Sequence, residues 1–117
     1  MELTLFLFLL WKHAIVDIVI QRKQGRLHKY NYRSKRAHYH YGAHGIATFL
    51  VMLFFAGPLT AVIAGILDWI AHWHIDFCKS RYMMINHINS QHLIYWGLLT
   101  IDQMLHYLTY YLIILLL

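Results

Sequence analysis

The sequence predicts an all-α fold: an integral membrane four-helix bundle with short loops and one basic cytoplasmic loop. Three observations lead there. Of 117 residues, 60% are hydrophobic and only 13% are charged, a balance outside that of ordinary water-soluble domains. The apolar residues gather into four segments, at approximately 3–20, 43–57, 58–78 and 92–117, most of them near the length an α-helix needs to cross a bilayer. Seven of the ten basic residues (Arg22, Lys23, Arg26, Lys29, Arg33, Lys35 and Arg36) fall between the first two segments. Residues 1–117 are therefore read as a single transmembrane domain.

The first segment follows only Met1 and Glu2, with neither a positive leading region nor a small-residue cleavage pattern, so it is read as a retained span. Lys12 within it must snorkel to the interface or find a carboxylate. The stretch 21–42 is basic and rich in tyrosine and histidine, and His38-Tyr39-His40-Tyr41 fits an interfacial aromatic belt. It is read as a solvated loop lying against lipid, with Arg22 to Arg36 touching anionic headgroups, and on this reading His38 and His40 are not ligands. The second segment is short, and Gly57-Pro58 makes a tight turn into the third, so these two form a helical hairpin. Lys79 and Arg81 follow the third segment, whereas the turn at Gly57 and the C-terminal leucines carry no charge. The positive-inside rule then places both basic loops in the cytoplasm and both termini outside. Cys78, the one cysteine, cannot form an internal disulfide and is assigned to packing. The net charge of +5 is explained by this topology, and no nucleic-acid partner is expected.

The acidic residues are only five: Glu2, Asp17, Asp68, Asp76 and Asp102. Three of the four aspartates fall in the pairs His13 with Asp17, His72 with Asp76, and Asp102 with His106, the members of each pair four residues apart. Residues four apart share a helix face, so each pair offers an imidazole and a carboxylate together. Ionisable groups inside apolar spans are costly and mark function. In the expected topology the first pair lies roughly 6 to 12 Å and the last roughly 15 to 20 Å from the cytoplasmic end, so all three can meet in one layer. Imidazole and carboxylate are ligands of zinc, manganese and iron. His13, Asp17, His72, Asp76, Asp102 and His106 are accordingly expected to hold a divalent metal, zinc foremost. One ion with orienting carboxylates and two ions both remain open at this point. His44, at the mouth of the second segment, completes the shell or transfers a proton. Asp68, on the same stripe as His72 and Asp76, serves as an acceptor behind the ligands, a general base or a proton relay. Lys79 neutralises a substrate phosphate or, more simply, anchors the span. His28, His74, His87 and His92 are left out of the site. The competing explanation is that the pairs are hydrogen-bonded glue between helices; a haem is disfavoured by carboxylates one turn from the histidines.

The motifs His13-x-x-x-Asp17-x-x-x-Gln21, His44, His72-x-x-x-Asp76-x-x-Lys79 and Asp102-Gln103-x-x-His106 cover nearly the whole chain. In their order and spacing the chain resembles a family of small bacterial and phage membrane proteins, domain of unknown function 3307. More distantly it is similar to bacterial inner-membrane proteins described as predicted metal-dependent hydrolases. The resemblance implies a metal-dependent hydrolase by analogy. The basic, tyrosine-rich first loop and the His72-Trp73-His74 triplet depart from the pattern.

These readings converge on a membrane-embedded metal-dependent hydrolase acting on a lipid or headgroup-like substrate at the cytoplasmic face. A divalent-cation transporter or channel is the alternative; four spans without an inverted repeat would then require a homo-oligomer. A third class is a non-enzymatic phage or host membrane protein, stapled by its polar cluster and binding a partner through its basic loop.

Overall fold

The computed structural model describes residues 1–21 and 27–117; Arg22, Lys23 and Arg26 of the basic stretch, and the side chain of Gln21, lie outside the described residues. Four helices and no strand are found among the described residues. Helix α1 (Glu2–Val16) runs without a break into a π-helical turn, Asp17–Gln21. Such wide turns are rare and concentrate at functional sites. Helix α2 (Lys35–Met52) is started by Ser34, whose hydroxyl accepts the Ala37 N–H at 3.4 Å and donates to the Leu27 carbonyl at 2.7 Å. Helix α3 (Pro58–Ile85) starts with Pro58 in its first turn, where a missing N–H costs nothing. Helix α4 (Leu93–Ile114) completes the set.

Two bounds differ from the sequence reading. Helix α2 begins at Lys35 rather than near 43, so His38-Tyr39-His40-Tyr41 is helical and not loop. Helix α3 runs on to Ile85, well past 78, because no proline or glycine interrupts the stretch after Lys79. One helical stretch, Glu2–Ile20, is long and apolar enough to cross a membrane, with mean hydropathy 2.0 over its best window.

The α2–α3 interface is the most extensive; α3 also packs on α4, and α1 on α2 and α4. At the α2–α3 crossing Gly45 meets Gly65 so closely that a Cβ on either would lie 2.8 Å from the other's carbonyl oxygen. Above this crossing an apolar layer gathers Leu5, Leu9, Met52, Ala61, Ala64 and Ile113. Below, Leu27, Ala37 and Tyr41 form a second apolar cluster, closed by Trp73. Between the two lies a polar layer, Lys12, His13, His40, His44, Thr48, Asp68, His72, Asp76, Asp102 and His106, all buried, groups that are costly to bury unless paired or hydrogen-bonded.

Candidate metal centre

The periodicity of each helix explains how the buried polar layer is assembled. On α1, His13 and Asp17 lie one turn apart; on α2, His40 and His44 do; on α3, Asp68, His72 and Asp76 follow one stripe; on α4, Asp102, His106 and Tyr110 do. Because α1 and α3 descend while α2 and α4 ascend, the stripes meet at one level. The imidazoles of His44 and His72 stack at 3.8 Å, those of His72 and His106 are 4.1 Å apart, and His13 stands 5.0 to 5.1 Å from His44, His72 and His106. All six of the expected ligands, and His44, are thus in one cluster.

Each ring is held from behind. His72 Nδ1 pairs with Asp68 Oδ1 at 2.8 Å, and Asp68 Oδ2 in turn accepts from the Lys12 ammonium and the Thr48 hydroxyl. His106 Nδ1 donates to the Asp102 carbonyl at 2.7 Å, one turn earlier on α4. His13 Nδ1 lies 2.6 Å from the Tyr110 hydroxyl, and His44 Nε2 lies 2.9 Å from Asp17 Oδ1. With one nitrogen of each ring engaged, the other is left buried and without a hydrogen-bond partner: Nε2 of His13, His72 and His106, and Nδ1 of His44. A buried polar atom left bare costs about 1 to 3 kcal/mol. A ring whose far nitrogen donates to an oxygen presents a lone pair at the near one, the arrangement of histidine ligands generally. The donor set and its bare atoms therefore fit a divalent cation.

The structure also re-partners two sequence pairs. His72 bonds to Asp68 rather than to Asp76, while Asp76 Oδ1 faces His106 Nε2 at 3.5 Å and its Oδ2 receives the Lys29 ammonium at 2.7 Å. Asp102 keeps His106 through its backbone carbonyl; its carboxylate receives the Gln103 amide at 3.1 Å and the Lys79 ammonium at 3.3 Å. Lys12, the cation within the apolar first helix, finds a carboxylate, that of Asp68.

His40, assigned to the aromatic belt from sequence, is only 1% exposed, with its ring 4.6 Å from His44 and Nε2 3.4 Å from Asp17 Oδ1. Burial, aided by the Lys29 ammonium, pushes its imidazole down to about 4, so at neutral pH the ring is uncharged and one of its nitrogens carries a lone pair. The spacing His40-x-x-x-His44 was the signal for it, as Asp102-x-x-x-His106-x-x-x-Tyr110 was for Tyr110. Lys29 gave no such signal, since it acts from the loop. His28, His74, His87 and His92 are exposed, as expected of residues outside the site. His38 stays at the surface end with Trp73, its Nε2 donating to the Tyr32 carbonyl at 3.0 Å.

A polar cavity of about 200 Å³ opens beside the cluster, with Asp76, Asp102 and His106 in its wall and the ammoniums of Lys29 and Lys79 flanking it. The two lysines in the cavity wall are those paired with Asp76 and Asp102. No curated protein and no solved structure matches the chain. The model of a family described as "Protein of unknown function (DUF3307)" matches residues 5–117, a stretch that contains every residue of the buried cluster, and the chain belongs to that family.

Proposed function

We propose that this protein is a membrane-embedded, metal-dependent hydrolase that cleaves a phosphate-bearing lipid or headgroup-like substrate at the cytoplasmic face. The observation that carries the reading is the set of buried imidazoles whose outward nitrogens are held and whose inward nitrogens are bare, next to an open cavity flanked by Lys29 and Lys79. A structural site would be closed by protein ligands on all sides; an open side is what chemistry requires.

The surface supports the membrane part. Large apolar side chains face outward along every helix, among them Trp11 and Ile15 on α1, Ile46 and Leu50 on α2, Ile66 and Ile70 on α3, and Met104, Leu108 and Leu112 on α4. The distribution is inverted, with ions inside and hydrocarbon outside, as lipid as solvent would select. The reading keeps four spans, one on each of the four helices, in a bacterial inner membrane with both termini outside.

A divalent cation, zinc first and manganese or iron next, would supply a bound water of lowered pKa. His13, His44, His72 and His106, with Asp17, Asp76 and Asp102, would hold and orient it. Asp68 fixes the ring of His72, and His40 lies beside His44 and Asp17. Lys29 and Lys79 sit where a phosphate entering the cavity would meet them, and anionic charge is what two rim ammoniums select.

The test is metal content by inductively coupled plasma mass spectrometry on chain purified in mild detergent without a histidine tag, beside the Asp17→Asn/Asp76→Asn double variant. Bound metal in the wild type that is lost in the variant, together with phosphate release from lipid phosphoesters, is expected. A wild type without metal overturns the reading.

A further inference from the structure

We propose that the centre takes two divalent cations, one in a nitrogen-rich site made by His13, His44 and His72 and one in an oxygen-rich site made by Asp76, Asp102 and His106. The inference rests on the metal-dependent reading above and adds the number of ions and the partition of ligands between them.

Within each trio the donor atoms all lie within 4.8 Å of one another. Donors bound at about 2.0 to 2.2 Å to one ion are separated by no more than about 4.4 Å, so each trio needs only a small inward adjustment to share an ion. The trios have no residue in common. Each draws on separate elements: α1, α2 and α3 supply the first, α3 and α4 the second. They adjoin through the His72 and His106 rings, 4.1 Å apart.

Both trios carry buried atoms without a hydrogen-bond partner. In the first these are Nε2 of His13 and of His72 and Nδ1 of His44; in the second, Oδ1 of Asp102 and Nε2 of His106. Their residues are at most 5% exposed. One ion in the first trio would leave Asp102 Oδ1 and its neighbours bare, and one in the second would leave His13 and His72 bare. Two ions satisfy both sets.

The carboxylates of the second trio are also posed for an ion. Asp76 gives one oxygen to Lys29 at 2.7 Å and keeps the other 3.5 Å from His106 Nε2. Asp102 gives one oxygen to Gln103 and Lys79 and keeps the other free. The two lysines thus orient the carboxylates from outside, as outer partners of ligands do. Charge separates the sites as well. The nitrogen-rich trio is neutral, and the carboxylate behind it, Asp68, is balanced by Lys12. The oxygen-rich trio contributes two carboxylates. Imidazole trios suit zinc, while carboxylate-rich sites suit manganese or magnesium. Asp17 stands beside the first trio, 2.9 Å from His44 Nε2 and 3.2 Å from His13 Nε2, the place for a further carboxylate on that side.

The deciding experiment titrates chelator-stripped full chain in mild detergent with Zn²⁺ alone and counts the retained metal per chain after desalting. Two equivalents are expected in the wild type, one in Asp102→Asn and one in His72→Gln. Cobalt supplies a check of partition: the absorption of the nitrogen-rich site should persist in Asp102→Asn and vanish in His72→Gln. Should either variant fail to fold, the equivalents of Zn²⁺ retained by the wild type still decide, two for two sites and one for a single site. One equivalent at saturation overturns the two-ion arrangement and leaves a one-metal hydrolase standing. No retained metal overturns both.

Discussion

Tyr110 is a fully buried ring with one polar atom, and that atom meets Nδ1 of His13 at 2.6 Å. The contact fixes the rotation of the His13 ring and directs its Nε2 towards the cluster. Replacing Tyr110 by phenylalanine keeps the ring, and with it the Lys12 ammonium 4.7 Å over its face, while deleting the hydroxyl. Tyr110→Phe should therefore weaken metal binding by about 10-fold or more, measured by competition with a chelator, with helix content unchanged. Unchanged affinity would reduce Tyr110 to packing. At this scale the sequence was informative about which residues gather and silent about which of them touch. His72 has an aspartate on either side at four residues, Asp68 and Asp76, and spacing alone cannot rank them. The choice is made by Lys12 and Thr48, on two other helices, which hold Asp68 against His72 and so release Asp76 towards His106. Tyr110 was overlooked for a related reason: an aromatic at helical spacing reads as core, and it is core as well.

Among the helices, the α2–α3 crossing sets the height at which the polar stripes meet. With Gly45 and Gly65 facing each other, the two backbones approach closely, and that approach brings the His44 and His72 rings into a stack. An alanine Cβ at either glycine would lie 2.8 Å from backbone oxygen, which cannot move without displacing a helix. Gly65→Ala should cost about 1 to 3 kcal/mol of stability and lower metal affinity, because the helices must separate. Gly97 in α4 is the internal control, since a Cβ there meets nothing within 4 Å. Gly97→Ala should raise stability by about 0.5 to 1 kcal/mol, the ordinary helix-propensity gain. Thermal unfolding followed by circular dichroism compares the two, and equal shifts would remove the special role of the crossing. The helices themselves were legible as apolar runs bounded by Gly57-Pro58 and by basic clusters. The start of α2 was not, because its first turns are charged and aromatic rather than apolar. Its stop-start marker was Ser34, and its periodic signal was histidine at 40 and 44, a polar stripe in a place where apolar periodicity was being sought.

For the molecule as a whole, the distribution of polarity is the quantity that links fold to function. Among the described residues as many polar or charged side chains are buried as hydrophobic ones, while Trp11, Ile66, Met104 and Leu112 look outward. In water that arrangement would forfeit the main driving force for folding; in lipid it places the ions where nothing else can solvate them. On the proposed reading, the low dielectric of lipid would strengthen each contact between carboxylate, ammonium and a bound cation, so that membrane insertion and a metal centre would reinforce each other. Two results should follow in cells that express the chain. Alkaline carbonate washing should leave it in the membrane pellet, from which detergent releases it. Single cysteines introduced in a Cys78→Ser background should report opposite sides, Gly57→Cys reacting with an impermeant maleimide in intact spheroplasts and Asn31→Cys only after the inner membrane is opened. Recovery in the carbonate wash would sink the membrane reading and leave a metal centre in a protein whose apolar faces need another cover. Retention with both cysteines labelled from the same side would mean that the hairpin of α2 and α3 lies along the interface instead of crossing it. The cavity between Lys29 and Lys79 would then open along the headgroup plane, and substrate would enter sideways from the lipid.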